Sequence, residues 1–213
     1  MDRRMTIEED RPMTTLAAHA GGRRRAASRP GDAAPEDPVL CRLVERSRCG
    51  DRRASAELLE RLQDRWFRFC VSLLGSGDAA REAVQETALR FLQGLADFRG
   101  HSRLETWALG IALNVCRESI RKRLRHDGAR DLRPPIRDVA APPALAVANE
   151  QRDRLRELLD RLPQRQREAI VLRYFEQLSV EQAAAAMDCA TGTVKATVSQ
   201  ALASLRRSWS PQR

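Results

Sequence analysis

The chain has 213 residues, 38 of them Lys or Arg against 29 Asp or Glu, for a formal net charge of +9. That length suits two small domains of about 100 residues or fewer, and the positive excess favours a polyanionic partner through phosphate neutralisation and counterion release. Aromatic residues make up 4%, too few for a base-stacking platform beyond isolated rings, and no run of apolar residues is long enough for a membrane span or the core of a secretory leader.

Residues 1–37 are breaker-rich and basic, as in Gly21-Gly22-Arg23-Arg24-Arg25 and Arg29-Pro30-Gly31, and read as a disordered arm. Residues 38–125 carry helical periodicity throughout. A first helix covers Val39–Cys49 and stops at Gly50, and a second runs over Arg53–Leu74 with Leu58, Leu62, Trp66, Phe69 and Leu73 on one stripe. Gly75-Ser76-Gly77 interrupts the pattern. A third helix, Ala79–Ala96, turns Val84, Ala88, Leu92 and Leu95 inward and sets Glu82, Gln85, Glu86 and Arg90 on a polar face. Phe98–Arg103 is a loop, and a fourth helix spans Glu105–Arg125. There Asn114, Arg117, Glu118, Arg121 and Lys122 recur at spacings of three and four, making one hydrophilic stripe. Asn and Arg can read base edges, whereas Lys and trailing Arg residues mainly hold phosphate.

Residues 126–149 contain two Pro-Pro pairs and a Gly and form a linker stiffened locally toward polyproline II. About 24 residues reach roughly 80 Å when extended, enough to bridge DNA sites about 50 Å apart. In residues 150–213, Pro163 suits the first turn of a supporting helix. Ser179 is the natural N-cap of a helix Val180–Met187, with Gln182 as its capping-box partner. Asp188-Cys189-Ala190 breaks that helix, and Thr191 caps the next, which runs to about Arg207. Val194, Val198, Ala201, Leu202 and Leu205 share its inner face, leaving Thr193, Lys195, Ala196, Thr197, Ser199 and Gln200 outward. A short polar helix on a helical support fits a major groove. The fold class is therefore all-α: two small helical domains joined by a flexible linker.

The segment LPQRQREAIVLRYFEQLSVEQAA followed by TGTVKATVSQALASLRR resembles region 4 of the sigma-70 family of bacterial initiation factors, in its extracytoplasmic-function (ECF) group. The segments VQETALRF and FRGHSRLETWALGIALNVCRESIRKRLR resemble region 2 of the same group. The resemblance implies a promoter-specificity subunit that binds core RNA polymerase, recognises the minus-ten and minus-thirty-five elements and promotes melting. Both double-stranded and melted promoter DNA are then partners, and an anti-sigma protein is a partner that the family implies. Carried over residue by residue, Glu82, Gln85, Glu86 and Arg90 become polymerase contacts. Phe98, Arg99, His101 and Ser102 of the loop join Asn114, Arg117, Glu118, Arg121 and Lys122 as minus-ten contacts, the loop holding an extruded base. Thr191, Gly192, Thr193, Lys195, Thr197, Ser199 and Gln200 become minus-thirty-five contacts. Trp107 is a core residue in this reading.

Some positions depart from the family pattern. Basic residues are common in the family where this chain has Gly110 and Leu113, Arg is common at Thr197 and Gln200, and a larger aliphatic residue is preferred at Ala183. Fewer cations predict weaker nonspecific affinity. No cofactor is expected, because no P-loop, nucleophile–base set or paired-carboxylate motif is present; the chain is not expected to be an enzyme. Five cysteines without CxxC spacing and three scattered histidines predict no metal site and buried thiols in a reducing cytoplasm. The alternatives are a stand-alone helix-turn-helix regulator with a sensing domain, and a helical adaptor that binds protein only. The sensor account does not explain residues 79–125, and the adaptor account explains neither the recognition helix nor the run Arg117–Arg125.

Overall fold

The computed structural model describes residues 37–126 and 154–209, and every regular element among them is helical. The arm over 1–37, Asp37 apart, and the linker over 126–149, His126 apart, lie outside the described residues. Helix α1 spans Pro38–Arg48; Asp37 caps it by accepting from the Val39 amide at 2.9 Å, with proline in the first turn. Gly50 then takes φ +85°, which permits the tight turn into α2. Helix α2, Arg52–Leu74, is capped by Asp51, which accepts from the Arg53 and Ala54 amides. The Ala54 amide and the Arg46 guanidinium hold the Asp51 carboxyl below its usual range. Gly75 closes α2 at φ +71°.

Helix α3, Gly77–Gly94, starts on Ser76 and runs into a 3-10 turn at Leu95–Asp97. Its buried stripe is Ala80, Ala83, Thr87 and Phe91, with Leu95 beyond. Val84, Ala88 and Leu92, expected to point inward, are half-buried on the flank. The stripe is rotated because Phe91 enters the aromatic core: its ring lies edge-on to Trp66 at 5.3 Å and next to Trp107 at 5.4 Å. The small and short residues Ala80, Ala83 and Thr87 let α3 approach its neighbours, and the Thr87 hydroxyl is satisfied by donating to the Ala83 carbonyl at 2.7 Å.

Helix α4, Leu104–His126, buries Leu109, Ala112, Leu113 and Cys116. A helix α5, described over residues 154–160, precedes α6, Gln164–Ile170, which continues through a π-helical turn at Val171–Phe175. Helices α7, Val180–Met187, and α8, Thr191–Trp209, complete the chain order. Arg167 is buried and joins α5 to α6, donating to the carbonyls of Leu159 (2.9 Å) and Asp160 (2.6 Å) and pairing with the Asp160 carboxylate.

The two helical halves are packed on each other. One apolar cluster runs from α1–α4 into Ala169, Val171, Leu172, Leu178, Ala183, Met187 and Val194. A smaller cluster of Leu159, Leu162, Ile170 and Ala201 holds α5, α6 and α8 together. Cys70 and Cys116 are buried, and contact with the Cys70 thiol, with burial, pushes the Cys116 thiol up. The uniform burial expected of the thiols fails elsewhere: Cys41 and Cys189 are half-buried and Cys49 is exposed at the end of α1.

Candidate functional site

On α3, Glu82 and Gln85 are exposed, while Glu86 and Arg90 are engaged with each other at 2.6 Å. Arg90 also reaches across to α4, gripping Glu118 through two bonds of 2.8 and 2.7 Å. That fork lowers the Glu118 carboxyl below its ordinary value and raises the Arg90 guanidinium. One residue from the polymerase set and one from the minus-ten set are thus each other's partners. Spacing within each helix gives no sign of this 28-residue link.

Along α4, Asn114, Glu118, Arg121 and Lys122 are exposed. Arg117 is half-buried, donates to the Asn114 side-chain Oδ1 at 3.3 Å and grips Glu168 of α6. The loop before α4 borders a cleft of about 450 Å³ whose other wall is α1, with Leu40 and Val44 facing Phe98, Arg99 and Arg103. Arg48 of α1 fixes this loop, donating to the Leu95 carbonyl at 3.0 Å and to the Phe98 carbonyl. The Phe98 ring stacks on Trp107 at 4.9 Å, and Trp107 in turn covers Gly94, where a Cβ would lie 3.1 Å from the indole. Trp107 is therefore a packing residue, half-buried on its outer side. His101 is exposed and Ser102 half-buried. Arg103 pairs with Glu105 at 3.2 Å through Nη2, yet its Nε is buried without a hydrogen-bond partner beside the cleft. A buried donor of this kind is costly unless a ligand satisfies it. Sequence reasoning missed Arg48, whose role is set by a contact 50 residues away.

The capping box at Ser179 is formed: the Ser179 amide donates to Gln182 Oε1 at 2.8 Å and the Gln182 amide to Ser179 Oγ at 3.1 Å. Asp188 ends α7 in the left-handed region at φ 53°. Helix α8 begins at Thr191 itself, because the Thr193 and Val194 amides bond back to the Ala190 carbonyl; Ala190 thus takes the cap position expected of Thr191. Val194 and Ala201 are buried, and Val198, Leu202 and Leu205 are half-buried beneath. Thr191, Gly192, Thr193, Lys195, Ser199 and Gln200 are exposed, and Gly192 has open space where a side chain would stand. Thr197 is half-buried and spends its hydroxyl proton on the Thr193 carbonyl at 2.7 Å. The π-turn leaves Tyr174 and Phe175 exposed, where unbroken helical periodicity predicts a continuing support helix.

The capped turn and the open polar helix α8 thus stand on helical supports, beside the helices α1–α4 with their exposed basic residues on α4. Profiles of two families match the chain: "Sigma-70 region 2" over residues 58–126 and "Sigma-70, region 4" over residues 152–205. The chain is 37% identical over 141 residues to the ECF RNA polymerase sigma factor EcfG of Rhodopseudomonas palustris, covering 64% of this chain and 75% of that protein. The chain belongs to the sigma-70 family.

Other relatives place it in the ECF group. It is 30% identical over 169 residues to the ECF RNA polymerase sigma-E factor of Escherichia coli, covering 75% of this chain and 88% of that one. Among solved structures it resembles the sigma factor RpoE in complex with the anti-sigma factor NepR from Bartonella quintana. The TM-score is 0.60 with 29% identity, covering 74% of this chain and 98% of that one. As an ECF sigma factor the chain is a promoter-specificity subunit of RNA polymerase. Among the described residues no group of His, Cys, Asp and Glu could hold a metal ion, and no helix is long and apolar enough to cross a membrane.

Proposed function

We propose that this ECF sigma factor reads the minus-thirty-five element with α8 and captures melted minus-ten DNA along α4, with an extruded base in the cleft between the loop Phe98–Arg103 and α1. The observation that carries this is the cleft beside that loop, about 450 Å³ and bordered by the unsatisfied Arg103 Nε. An extruded base supplies both apolar faces for Leu40 and Val44 and an acceptor for the guanidinium. Asn114, Arg121 and Lys122 continue the surface along α4 and Lys195 and Gln200 line α8, all exposed. Melting is then driven by binding: single-stranded DNA is held where duplex cannot fit, and the difference in affinity shifts the equilibrium.

Glu82 and Gln85 are the members of the α3 set most open to core polymerase, with Glu86 half-buried beside them. Arg90 acts there chiefly by positioning Glu86 and Glu118. The chain works in the cytoplasm as a binding subunit without catalytic residues of its own. An anti-sigma protein is a further partner, in line with the complex of the Bartonella quintana relative.

The test is run-off transcription over a genomic fragment library with core polymerase, with and without this protein. Discrete start sites that depend on the protein are expected. Identical transcript profiles in both arms would refute the proposed role.

A further inference from the structure

We propose that Arg48 is a positioning residue for base capture: by tying the end of α1 to the loop Phe98–Arg103, it sets the width of the cleft between them. This inference rests on the reading of that cleft as the seat of an extruded base.

Leu40, Val44 and Arg48 follow one another at intervals of four along α1 and therefore share one helical face. All three line the cleft. Leu40 and Val44 are buried and form its apolar wall, whereas Arg48, in the last turn of the helix, reaches across to the opposite side. Its Nε donates to the Leu95 carbonyl at 3.0 Å and its Nη2 to the Phe98 carbonyl. Both carbonyls lie where α3 runs out through its 3-10 turn, a place where helical partners become scarce. A guanidinium presents its donors in a rigid fork, so bonds to two carbonyls fix direction as well as distance.

The loop is thus divided into a held root and an open tip. At the root Phe98 is gripped twice, its carbonyl by Arg48 and its ring by Trp107 at 4.9 Å. The Trp107 stack fixes Phe98 to α4, on the loop's own side; the Arg48 bonds fix it to the opposite wall. At the far end Arg103 is tied to Glu105 at 3.2 Å, and its carbonyl accepts the Trp107 amide at 3.0 Å. Between these ends Arg99, Gly100 and His101 are exposed, and Gly100 takes φ +70° with open space around it. The tip can therefore adjust to a base while the root holds the cleft at one width, so less ordering remains to be done on binding. Arg48 is itself exposed, and water can replace it on both carbonyls, so its removal costs little stability. Its loss instead lets the loop drift from Leu40 and Val44, leaving a base gripped on one side.

The experiment is a mutant cycle between Arg48 and the DNA, run with core polymerase and the full chain. The probe is a fork-junction template from a promoter found by run-off transcription, with each unpaired non-template nucleotide replaced in turn by an abasic one. For the wild type, one abasic position should weaken binding about tenfold, the scale of one lost base contact. Arg48→Ala should weaken binding to the intact template about tenfold, and the same abasic position should then add no further loss. Its melting temperature should stay close to that of the wild type. Arg48→Lys keeps the charge but not the fork, and its affinity should fall between the two. If the abasic position cost Arg48→Ala as much as it costs the wild type, the positioning role would be overturned and the cleft reading left intact. A fall in melting temperature on the scale of a core substitution would also overturn it, making Arg48 a residue of the fold. Wild-type binding by Arg48→Lys would overturn the grip on two carbonyls. A wild type indifferent to every abasic position would overturn the cleft reading itself, and this inference with it.

Discussion

In the proposed reading, single side chains on α8 divide into those that hold phosphate and those that read bases. Lys195 and Gln200 are both exposed, one turn and about two and a half turns into the helix. Lys195→Ala is expected to lower affinity for every upstream element, since a mobile cation near a helix N-terminus serves phosphate. Gln200→Ala should instead relax preference at one base position, where a bidentate contact to adenine is worth about 1–3 kcal/mol of discrimination. Selection from a randomised upstream library separates the two; an unchanged motif would leave Gln200 a solvated residue. Thr197 has its hydroxyl committed to the Thr193 carbonyl, so in the proposed reading its methyl is the group left for DNA. On α3, replacing Gln85 with Ala should leave melting nearly unchanged, as exposed substitutions usually do, while reducing co-purification with core polymerase.

Among the elements, α3 and α4 are coupled through Arg90 and Glu118, and α7 is set by its capping box. Glu118→Gln is expected to cost less than about 1 kcal/mol at neutral pH, because the pair is largely solvent-screened. Its folded carboxyl lies below the ordinary value of 4.5. The stabilisation is therefore present above that value and is lost as pH falls through the depressed one. Melting temperatures measured across acid pH should fall less steeply for Glu118→Gln than for the wild type. Ser179→Ala removes one half of the capping box and should cost about 1 kcal/mol, read as a lower denaturation midpoint with unaltered slope.

For the whole molecule, the continuous core predicts cooperative unfolding. Leu172 is fully buried in the cluster that spans both halves. Leu172→Ala should destabilise the chain by about 2–5 kcal/mol. In the wild type, calorimetry should show one transition rather than two; two separate transitions would mean that the halves do not share stability. Electrostatics act at the same scale. Arg121→Ala and Lys122→Ala should each reduce the slope of DNA affinity against salt by about one, because both side chains are exposed on α4 and free of the ion pair that occupies Arg117.

The sequence by itself determined the local structure. Gly and Ser at helix ends act on the backbone only a few residues away, so the stop of α1 before Gly50, the end of α2 at Leu74 and the Ser179 capping box were legible at once, while the Asp37 and Asp51 caps emerged only in the fold. Family-specific strings likewise identified the promoter-reading class, since they encode chemistry within single helices. The rotation of α3 was not legible, because Phe91 is placed by Trp66 and Trp107 from other helices. Nor were the engagement of Arg90 with Glu118, of Arg48 with the loop, or of Arg117 with Glu168, each a charge pairing or hydrogen bond across 28 to 51 residues. Gly110 and Ala183 looked in sequence like weakened DNA and support positions. Tertiary structure alone decided that Gly110 lies against the Ala186 backbone of α7 and that Ala183 is fully buried, because a small residue declares its purpose only through its surroundings in the fold.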